Sequence, residues 1–205
     1  MPKILSPSQI GEFRERLIEA AERLFAAKGP DAVSLRLLAG DLGVSAMTPY
    51  RYFADKAAIL AAVRARAFDR FAEALETAGE GLDDPMARSE AVGRAYVAFA
   101  LARPDAYRLM FDLAQPDEDD FPDLVRASAR ARATLTAHLE PLIAGGQVRG
   151  DPILIAHSYW AAVHGLIGLR LADKLSPEAD FEAVLNTLFG ALARGFAAAA
   201  TSATE

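Results

Sequence analysis

Residues 34–56, SLRLLAGDLGVSAMTPYRYFADK, decide the fold of this chain. Apolar residues recur at spacings of three and four from Leu35 to Leu42, which is typical of the buried face of a short α-helix. Ser34 stands at the N-cap position, where its side chain can accept a backbone hydrogen bond. Gly43 follows the last apolar position, where a left-handed residue ends a helix at little cost. The stretch therefore begins with a helix and a tight turn.

The second half of the stretch predicts another helix after the turn. Val44 is expected to fill the angle between the helices, and Ser45 is a second N-cap candidate for a helix over residues 46–52. Pro49 falls in the first turn, where a missing N–H costs little, so we expect this helix to form. A short second helix after a tight turn has the geometry that fits a DNA major groove.

These residues also carry a resemblance to a known family. LGVSAMTPYRYFADK resembles the signature of the TetR family of transcriptional repressors, and LIEAAERLFAAKGPDAVSL resembles that family's first helix and connection. The family usually has leucine where this chain has Pro49. The resemblance implies an all-α fold of about nine helices. It also implies a three-helix helix-turn-helix DNA-binding domain in residues 1–55 and a helical effector-binding and dimerisation domain in residues 56–205.

Composition excludes several classes of protein. No uninterrupted apolar run approaches the roughly 18 residues of a membrane span, and no hydrophobic signal region follows the first lysine. The chain has no cysteine, which excludes disulfides and thiolate metal sites and fits a reducing compartment. We therefore expect a cytoplasmic protein with no membrane partner.

The charge of the chain is unevenly distributed. The net charge is −6, yet residues 1–70 hold 11 Lys and Arg against 8 Asp and Glu, whereas residues 71–205 hold 11 against 20. A mildly basic first part, at +3, followed by an acidic part, at −9, favours DNA contact at one end only.

Helical periodicity continues to the end of the chain, and prolines mark most of the helix starts. Asp55 is an N-cap candidate for the helix that follows the opening stretch, Pro141 is expected to kink or end its helix, and residues 116–120 are expected to form a solvated acidic loop. The predicted helices outside the opening stretch span residues 8–28, 56–79, 85–102, 104–113, 122–144, 152–173 and 177–199.

The last two predicted helices indicate a second subunit. Ser158, Ala161, Gly165, Gly168 and Ala172 form one stripe of small side chains, which permits close helix approach. Glycine within a helix costs about 1 kcal/mol relative to alanine, so tight packing is the natural compensation. The helix over 177–199 also carries a wide apolar face. We expect the two helices to form half of a four-helix bundle in a homodimer.

A second, shorter resemblance supports the first. Trp160 with VHGL at residues 163–166, together with RPDAYRLMF at residues 103–111, resembles the C-terminal domain class named for its Trp-His-Gly motif, which occurs in some TetR-type regulators.

The TetR resemblance implies a set of DNA contacts. Arg51 is a candidate for a bidentate contact to guanine, worth about 1–3 kcal/mol of discrimination, and Lys56 lies at a helix N-terminus, where anions bind. The alternative is that Arg36 and Arg51 are simply solvated and that Tyr52 packs the small domain. The DNA-binding candidates are Ser34, Arg36, Ser45, Ala46, Met47, Thr48, Tyr50, Arg51, Tyr52 and Lys56.

An effector site needs an apolar cavity with a few polar groups. Aromatic residues at helical spacing more often belong to the hydrophobic core, so the alternative for each ligand-binding candidate is that it is a core residue. His157 and His164 share a helix face, but seven residues separate them by about 10 Å, which disfavours a metal site. No cofactor is expected. The ligand-binding candidates are Tyr96, Phe99, Tyr107, Met110, Phe111, Trp160 and His164.

Three classes of function remain at this stage. The sequence lacks a cysteine nucleophile, a G-x-S-x-G elbow, a phosphate loop and an H-E-x-x-H pair, so nothing supports an enzyme. We expect a TetR-like regulator, most simply a repressor, that a small apolar or amphipathic ligand releases from a near-palindromic operator. The alternative is an all-α small-molecule-binding protein that does not bind DNA.

Overall fold

The computed structural model describes residues 6–111 and 118–198 and confirms the all-α fold. Within these residues the only pairing of extended backbone is an isolated bridge between Val148 and Ala197. Two short 3₁₀ helices occur at Pro49–Arg51 and Glu118–Asp120. The described residues form nine α-helices: α1 Pro7–Lys28, α2 Leu35–Asp41, α3 Lys56–Gly79, α4 Pro85–Ala102, α5 Pro104–Phe111, α6 Pro122–Ala137, α7 Glu140–Ala144, α8 Pro152–Leu171 and α9 Phe181–Phe196.

The chain packs as two compact units. The first contains residues 1–70 and 105–129, and the second contains residues 71–104 and 130–205. Helix α3 contributes to both units. The domain boundary at residue 55 stays a prediction. The packing unit that contains residues 1–55 also includes α5 and part of α6, so it describes a different division of the chain.

The first unit folds around the apolar face of α1. Leu17 and Phe25 are buried there together with Leu38 of α2, with Phe53, which precedes α3, and with Ile59 of α3. Burying aliphatic and aromatic side chains of this size stabilises the fold by roughly 1.5–3 kcal/mol each. This packing fixes α2 and the start of α3 against α1, which positions the segment between them.

Several helix ends form as predicted. The Ser34 hydroxyl accepts from the Leu37 amide at 3.1 Å, and an Asp55 carboxylate oxygen accepts from the Ala58 amide at 2.8 Å. Gly43 has a φ of 64°, in the left-handed region that glycine adopts without strain.

Proline positions predict most helix starts correctly but fail at one. Helices α4, α5, α6 and α8 begin at prolines, whereas α9 begins at Phe181 rather than Pro177. Asp180 caps α9, because its carboxylate accepts from the Ala183 amide at 2.9 Å. Pro177 has no side-chain acceptor and cannot cap a helix in this way. The break at Pro141 is confirmed as the division between α6 and α7. Residues 112, 113 and 199 of the predicted helices lie outside the described residues.

The predicted solvated loop at residues 116–120 is corrected in part. Residues 116 and 117 lie outside the described residues, but Glu118 forms a 2.7 Å ion pair with the buried guanidinium of Arg64. Ser128 donates to the other Glu118 oxygen at 3.1 Å. Glu118 is therefore only partly solvated and pairs with the interior of the first unit, because a buried arginine requires an anionic partner.

The second unit is organised around α8, which packs against α4 and α9. Ile155, Val163 and Ile167 point into the unit and are buried. By length and composition α8 could also cross a membrane, with a mean hydropathy of 1.3 over 18 residues, a criterion that core and interface helices also meet. Only 28% of that window is buried within one chain. Helix α8 therefore leaves much apolar surface exposed.

Candidate DNA-recognition segment and ligand cavity

The segment that follows α2 differs from the predicted α-helix over residues 46–52. Residues 46–48 form a turn, and Pro49–Arg51 form a 3₁₀ helix. Pro49 has no N–H, so the Ser45 carbonyl cannot receive the α-helical bond from residue 49. It accepts instead from the Thr48 amide at 2.8 Å. The prediction of an α-helix is therefore wrong here, although the segment still forms a compact helical turn.

Seven of the ten predicted DNA contacts are exposed, and five of these lie in the recognition segment, residues 45–52. Met47 is 67% exposed and Tyr50 is 50% exposed, which is unusual for large side chains with apolar bodies. Pro49 is 3₁₀-helical and buried, so it anchors the segment beneath them. The exposed members of the predicted set are Ser34, Arg36, Ser45, Ala46, Met47, Tyr50 and Arg51.

The remaining members of the predicted set have contacts within the protein. The ring of Tyr52 lies 4.9 Å from that of Phe13, and Thr48 is half-buried. The Lys56 ammonium donates to the Pro30 carbonyl at 3.1 Å. An ammonium has three donors, so this bond uses one of them. Lys56 thus ties the start of α3 to the connection before α2.

The second unit encloses a cavity of about 290 Å³ between α4, α8 and α9. Its deepest walls are the buried side chains of Leu75, Val92, Leu139, Ala156 and Val163. A belt of half-buried residues surrounds them, and an exposed rim follows. The belt comprises Ser89, Gly93, Leu135, His138, Tyr159, Trp160, Phe189 and Gly190, the rim comprises Met86, Glu90, Arg94, Asn186 and Ala193, and buried Tyr96 completes the lining.

Gly93 permits the close packing of one wall. A Cβ atom at this position of α4 would lie 3.2 Å from Cζ of Phe189 on α9. The missing side chain therefore lets the Phe189 ring approach the α4 backbone. Since both residues line the cavity, this contact sets its width on that side.

The structure brings two of the seven predicted ligand residues, Tyr96 and Trp160, to the cavity. Phe99 packs its ring edge to face against Phe71, with centroids 5.3 Å apart. Tyr107 and Phe111 pack against each other in the first unit, at 4.9 Å. Met110 is buried in that unit as well, and His164 lies against Trp160 without lining the cavity.

Sequence reasoning missed His138, Tyr159 and Phe189. Tyr159 and Phe189 lie on α8 and α9, the two helices that the sequence already singled out. Including every aromatic residue of these helices among the candidates would have found them. His138 gave no such signal, because it lies in the short connection between α6 and α7.

His138 has a defined hydrogen-bonding arrangement. Its Nδ1 lies 3.1 Å from the Thr134 carbonyl, which can only accept, so Nδ1 carries the proton and Nε2 is an acceptor in the neutral ring. Burial lowers the pKa of His138 below the ordinary imidazole value, and the Thr134 bond opposes this more weakly. The imidazole is therefore neutral at pH 7. Burial likewise lowers the pKa of His164 and raises that of Tyr159.

Acid should destabilise the fold through His138. Its folded pKa lies below its unfolded pKa, so the unfolded chain binds the proton more readily and stability falls as pH drops through about 6.5. We expect H138F to lose less stability than the unmodified protein between pH 7.5 and 5.5 in urea titrations. An equal loss of stability in both proteins would contradict the lowered pKa of His138. H157F is the control, because His157 is exposed on α8.

Family models match both units. Residues 17–63 match the model described as bacterial regulatory proteins, tetR family, and residues 89–192 match a tetracyclin repressor-like C-terminal domain. The second match alone covers half of the chain. The chain belongs to the TetR family. The family predicted from residues 34–56 is thus confirmed over both the DNA-recognition segment and the cavity-bearing helices.

The chain is also similar to individual proteins. The HTH-type transcriptional regulator HbdR of Aromatoleum sp. (strain CIB) is 26% identical over 147 residues, which are 71% of this chain but only 64% of HbdR. A protein of unknown function from Rhodococcus sp. RHA1 superposes with a TM-score of 0.80 at 30% identity, over 96% of this chain and 99% of that one.

A third comparison shows the fold. A TetR family transcription regulator from Marinobacter aquaeolei VT8 superposes with a TM-score of 0.68 at 19% identity, over 94% of this chain and 100% of that one.

Proposed function

We propose that this TetR-family protein is a homodimeric DNA-binding transcriptional regulator, a repressor that a small apolar or amphipathic ligand releases from a near-palindromic operator. The observation that carries the proposal is the exposure of Met47, Tyr50 and Arg51 in the anchored recognition segment, together with the exposure of Arg36 on α2. Apolar side chains of this size gain nothing from exposure to water, whereas they can contact thymine methyl groups and sugars in a groove.

The contacts divide into two kinds. Arg51 and Met47 are proposed to touch base edges, which gives sequence discrimination. Ser34, Ser45 and the two remaining donors of Lys56 are proposed to hold phosphates, which gives affinity and its salt dependence. The short 3₁₀ turn places few side chains in the groove, so we propose that each half-site is read over few base pairs.

Replacing Tyr50 and Arg51 by alanine should weaken operator binding. Loss of a bidentate guanine contact costs about 1–3 kcal/mol per half-site, and loss of the Tyr50 contact adds to it. The measurement is a fluorescence-anisotropy titration with an operator selected from genomic fragments. Both side chains are exposed, so the helical circular dichroism spectrum should not change.

R132A is the matched control for this experiment. Arg132 is exposed on α6 in the second unit, so its removal changes the net charge as R51A does without altering the recognition segment. Equal affinity of the Y50A/R51A protein and R132A for the operator would mean that DNA is bound elsewhere.

Ligand and DNA are proposed to act through dimer geometry. A ligand in the cavity releases DNA only if it prefers the arrangement of the two recognition segments that does not fit successive major grooves. By linkage, operator DNA must then weaken ligand binding by the same factor. A protein that binds ligands but shows no salt-dependent DNA affinity would be the alternative, a small-molecule-binding protein without an operator.

A further inference from the structure

We infer that the cavity takes an uncharged, largely apolar molecule of about two fused rings that donates one hydrogen bond to Nε2 of His138. The inference rests on the proposed function, since it names the ligand class of the proposed effector site. Three features of the cavity carry it: the charge distribution of its lining, the single acceptor that His138 presents, and its volume.

The cavity is uncharged in its interior. Among the lining residues that the structure describes, Glu90 and Arg94 are the charged ones, and both are exposed at the rim. They also pair with each other at 3.0 Å along α4. A carboxylate placed among Leu75, Val92 and Val163 would lose its hydration without an ionic partner, which is strongly unfavourable.

His138 supplies a polar group within this apolar interior. Its Nδ1–H is used by the Thr134 carbonyl, and among the described residues nothing donates to Nε2. The ring lines the cavity and forms part of its boundary with a second, more open cavity lined by Glu76, Glu80, Arg88 and Arg130. An acceptor that is half-buried and without a donor favours a ligand that brings one, such as a hydroxyl or an N–H group.

The volume sets the size of the ligand. A cavity of about 150 Å³ holds one benzene ring, so the cavity of about 290 Å³ has room for roughly two rings. The tip of the Phe189 ring lies against Gly93 on one side of the cavity, and Trp160 lies on the α8 side. Aromatic side chains on two sides of the cavity favour an aromatic ligand.

Four naphthalene derivatives test the inference, because they share one ring system. 2-Naphthol donates a hydrogen bond, 2-methoxynaphthalene only accepts, naphthalene does neither, and 2-naphthoate is charged at pH 7. Trp160 is the single tryptophan of the chain and lines the cavity, so quenching of its fluorescence reports binding directly, with calorimetry as a second measurement.

We expect 2-naphthol to bind about 3- to 10-fold more tightly than 2-methoxynaphthalene, as one neutral hydrogen bond provides. 2-Naphthoate should bind at least about tenfold more weakly than 2-naphthol. In H138F the preference for 2-naphthol should vanish while naphthalene binding is kept, and H138Q, which retains an acceptor, should restore part of the preference. Tighter binding of 2-naphthoate, or an unchanged preference in a folded H138F, overturns the inference.

Failure of the inference and failure of the proposed function give different results. The binding measurements use the protein without DNA, and release of operator DNA is measured separately by anisotropy. If 2-naphthol binds with the expected preference but releases no DNA, the ligand class stands and regulation through this cavity fails. If operator is released equally by all four compounds, regulation stands and the ligand class is wrong.

Discussion

Replacing Arg64 by methionine should destabilise the protein by about 3 kcal/mol, because it breaks a buried ion pair from one side. The Arg64 guanidinium is 5% exposed, and its acceptors among the described residues include the Leu109 carbonyl at 3.1 Å, the Met110 carbonyl at 3.4 Å and Glu118 at 2.7 Å. Methionine fills a similar volume but donates nothing. The two carbonyls at the end of α5 would then lose this donor, and the Glu118 carboxylate would keep the bond from the Ser128 hydroxyl but lose its cationic partner.

The expected loss lies at the lower end of the range for broken buried pairs. Glu118 is 31% exposed, so water can solvate part of its carboxylate once the arginine is gone. The measurement is urea denaturation followed by circular dichroism. Replacing both partners, in R64M/E118M, should recover part of the loss, since no buried charge then remains unpaired.

R126M provides the matched control for R64M. Arg126 pairs with Asp69 of α3 through two bonds, at 3.0 and 2.8 Å, so it too connects α3 to the segment that follows α5. Its side chain is 58% exposed, however, and an exposed pair contributes about 0–1 kcal/mol. Similar losses in R64M and R126M would show that burial of Arg64 is not what makes its ion pair important.

The Arg64 network illustrates what periodicity cannot predict. Arg64 occupies a position on α3 whose neighbours in sequence are apolar, and Glu118 lies in an acidic stretch typical of solvated loops. Their pairing joins residues 54 positions apart, and only the packing of α3 against α5 creates it. Local signals such as Ser34, Asp55 and most of the helix-starting prolines were reliable because each acts within four residues.

The recognition segment shows a second limit. The family resemblance located Met47, Tyr50 and Arg51 on the exposed surface, but it implied an α-helix where Pro49 gives a 3₁₀ turn. The effect of proline depends on which carbonyl its missing N–H would have reached. Here that carbonyl belongs to Ser45, at the first turn of the expected helix. No earlier α-helical hydrogen bond exists to hold this turn in place once the bond to Ser45 is missing.

The cavity shows a third limit. Helical periodicity predicts which face of a helix is buried, and Tyr96, Phe99 and Met110 are all buried as expected. Whether a buried residue borders a void depends on how well its neighbours fill the space, which is a property of several helices together. Phe99 and Tyr96 both pack against Phe71, yet Tyr96 also borders the cavity, as does Trp160, and Phe99 does not.

Replacing Gly165 and Gly168 by glutamine should abolish the proposed dimer. Both glycines are exposed on α8, and within residues 6–111 and 118–198 no atom beyond the adjacent residues and the local helix backbone lies within 4 Å of a Cβ built at either position. Nothing in the described part of the chain therefore accounts for two glycines in mid-helix, each costing about 1 kcal/mol relative to alanine. Leu154, which is 67% exposed, and Leu169, which is 47% exposed, extend this exposed apolar surface of α8.

Close packing of α8 against a second copy would explain both observations, because small residues let two helices approach. Two glutamines would hold the helices apart, so the variant should sediment as a monomer. Operator affinity should fall about 10²- to 10⁴-fold, since each recognition segment would bind its half-site without the other. Sedimentation velocity and the anisotropy titration measure the two effects independently.

G11Q serves as the control for the glycine substitutions. Gly11 is an exposed glycine within α1 that also has no atom within 4 Å of a built Cβ. Glutamine at Gly11 should stabilise the fold by up to about 1 kcal/mol through helix propensity alone and leave the dimer unchanged. If the G165Q/G168Q protein behaved in the same way, gaining stability and keeping its mass, the α8 surface would not be the dimer interface. A monomeric and still folded G165Q/G168Q protein would instead connect the small-residue stripe of α8 to operator binding by the recognition segment.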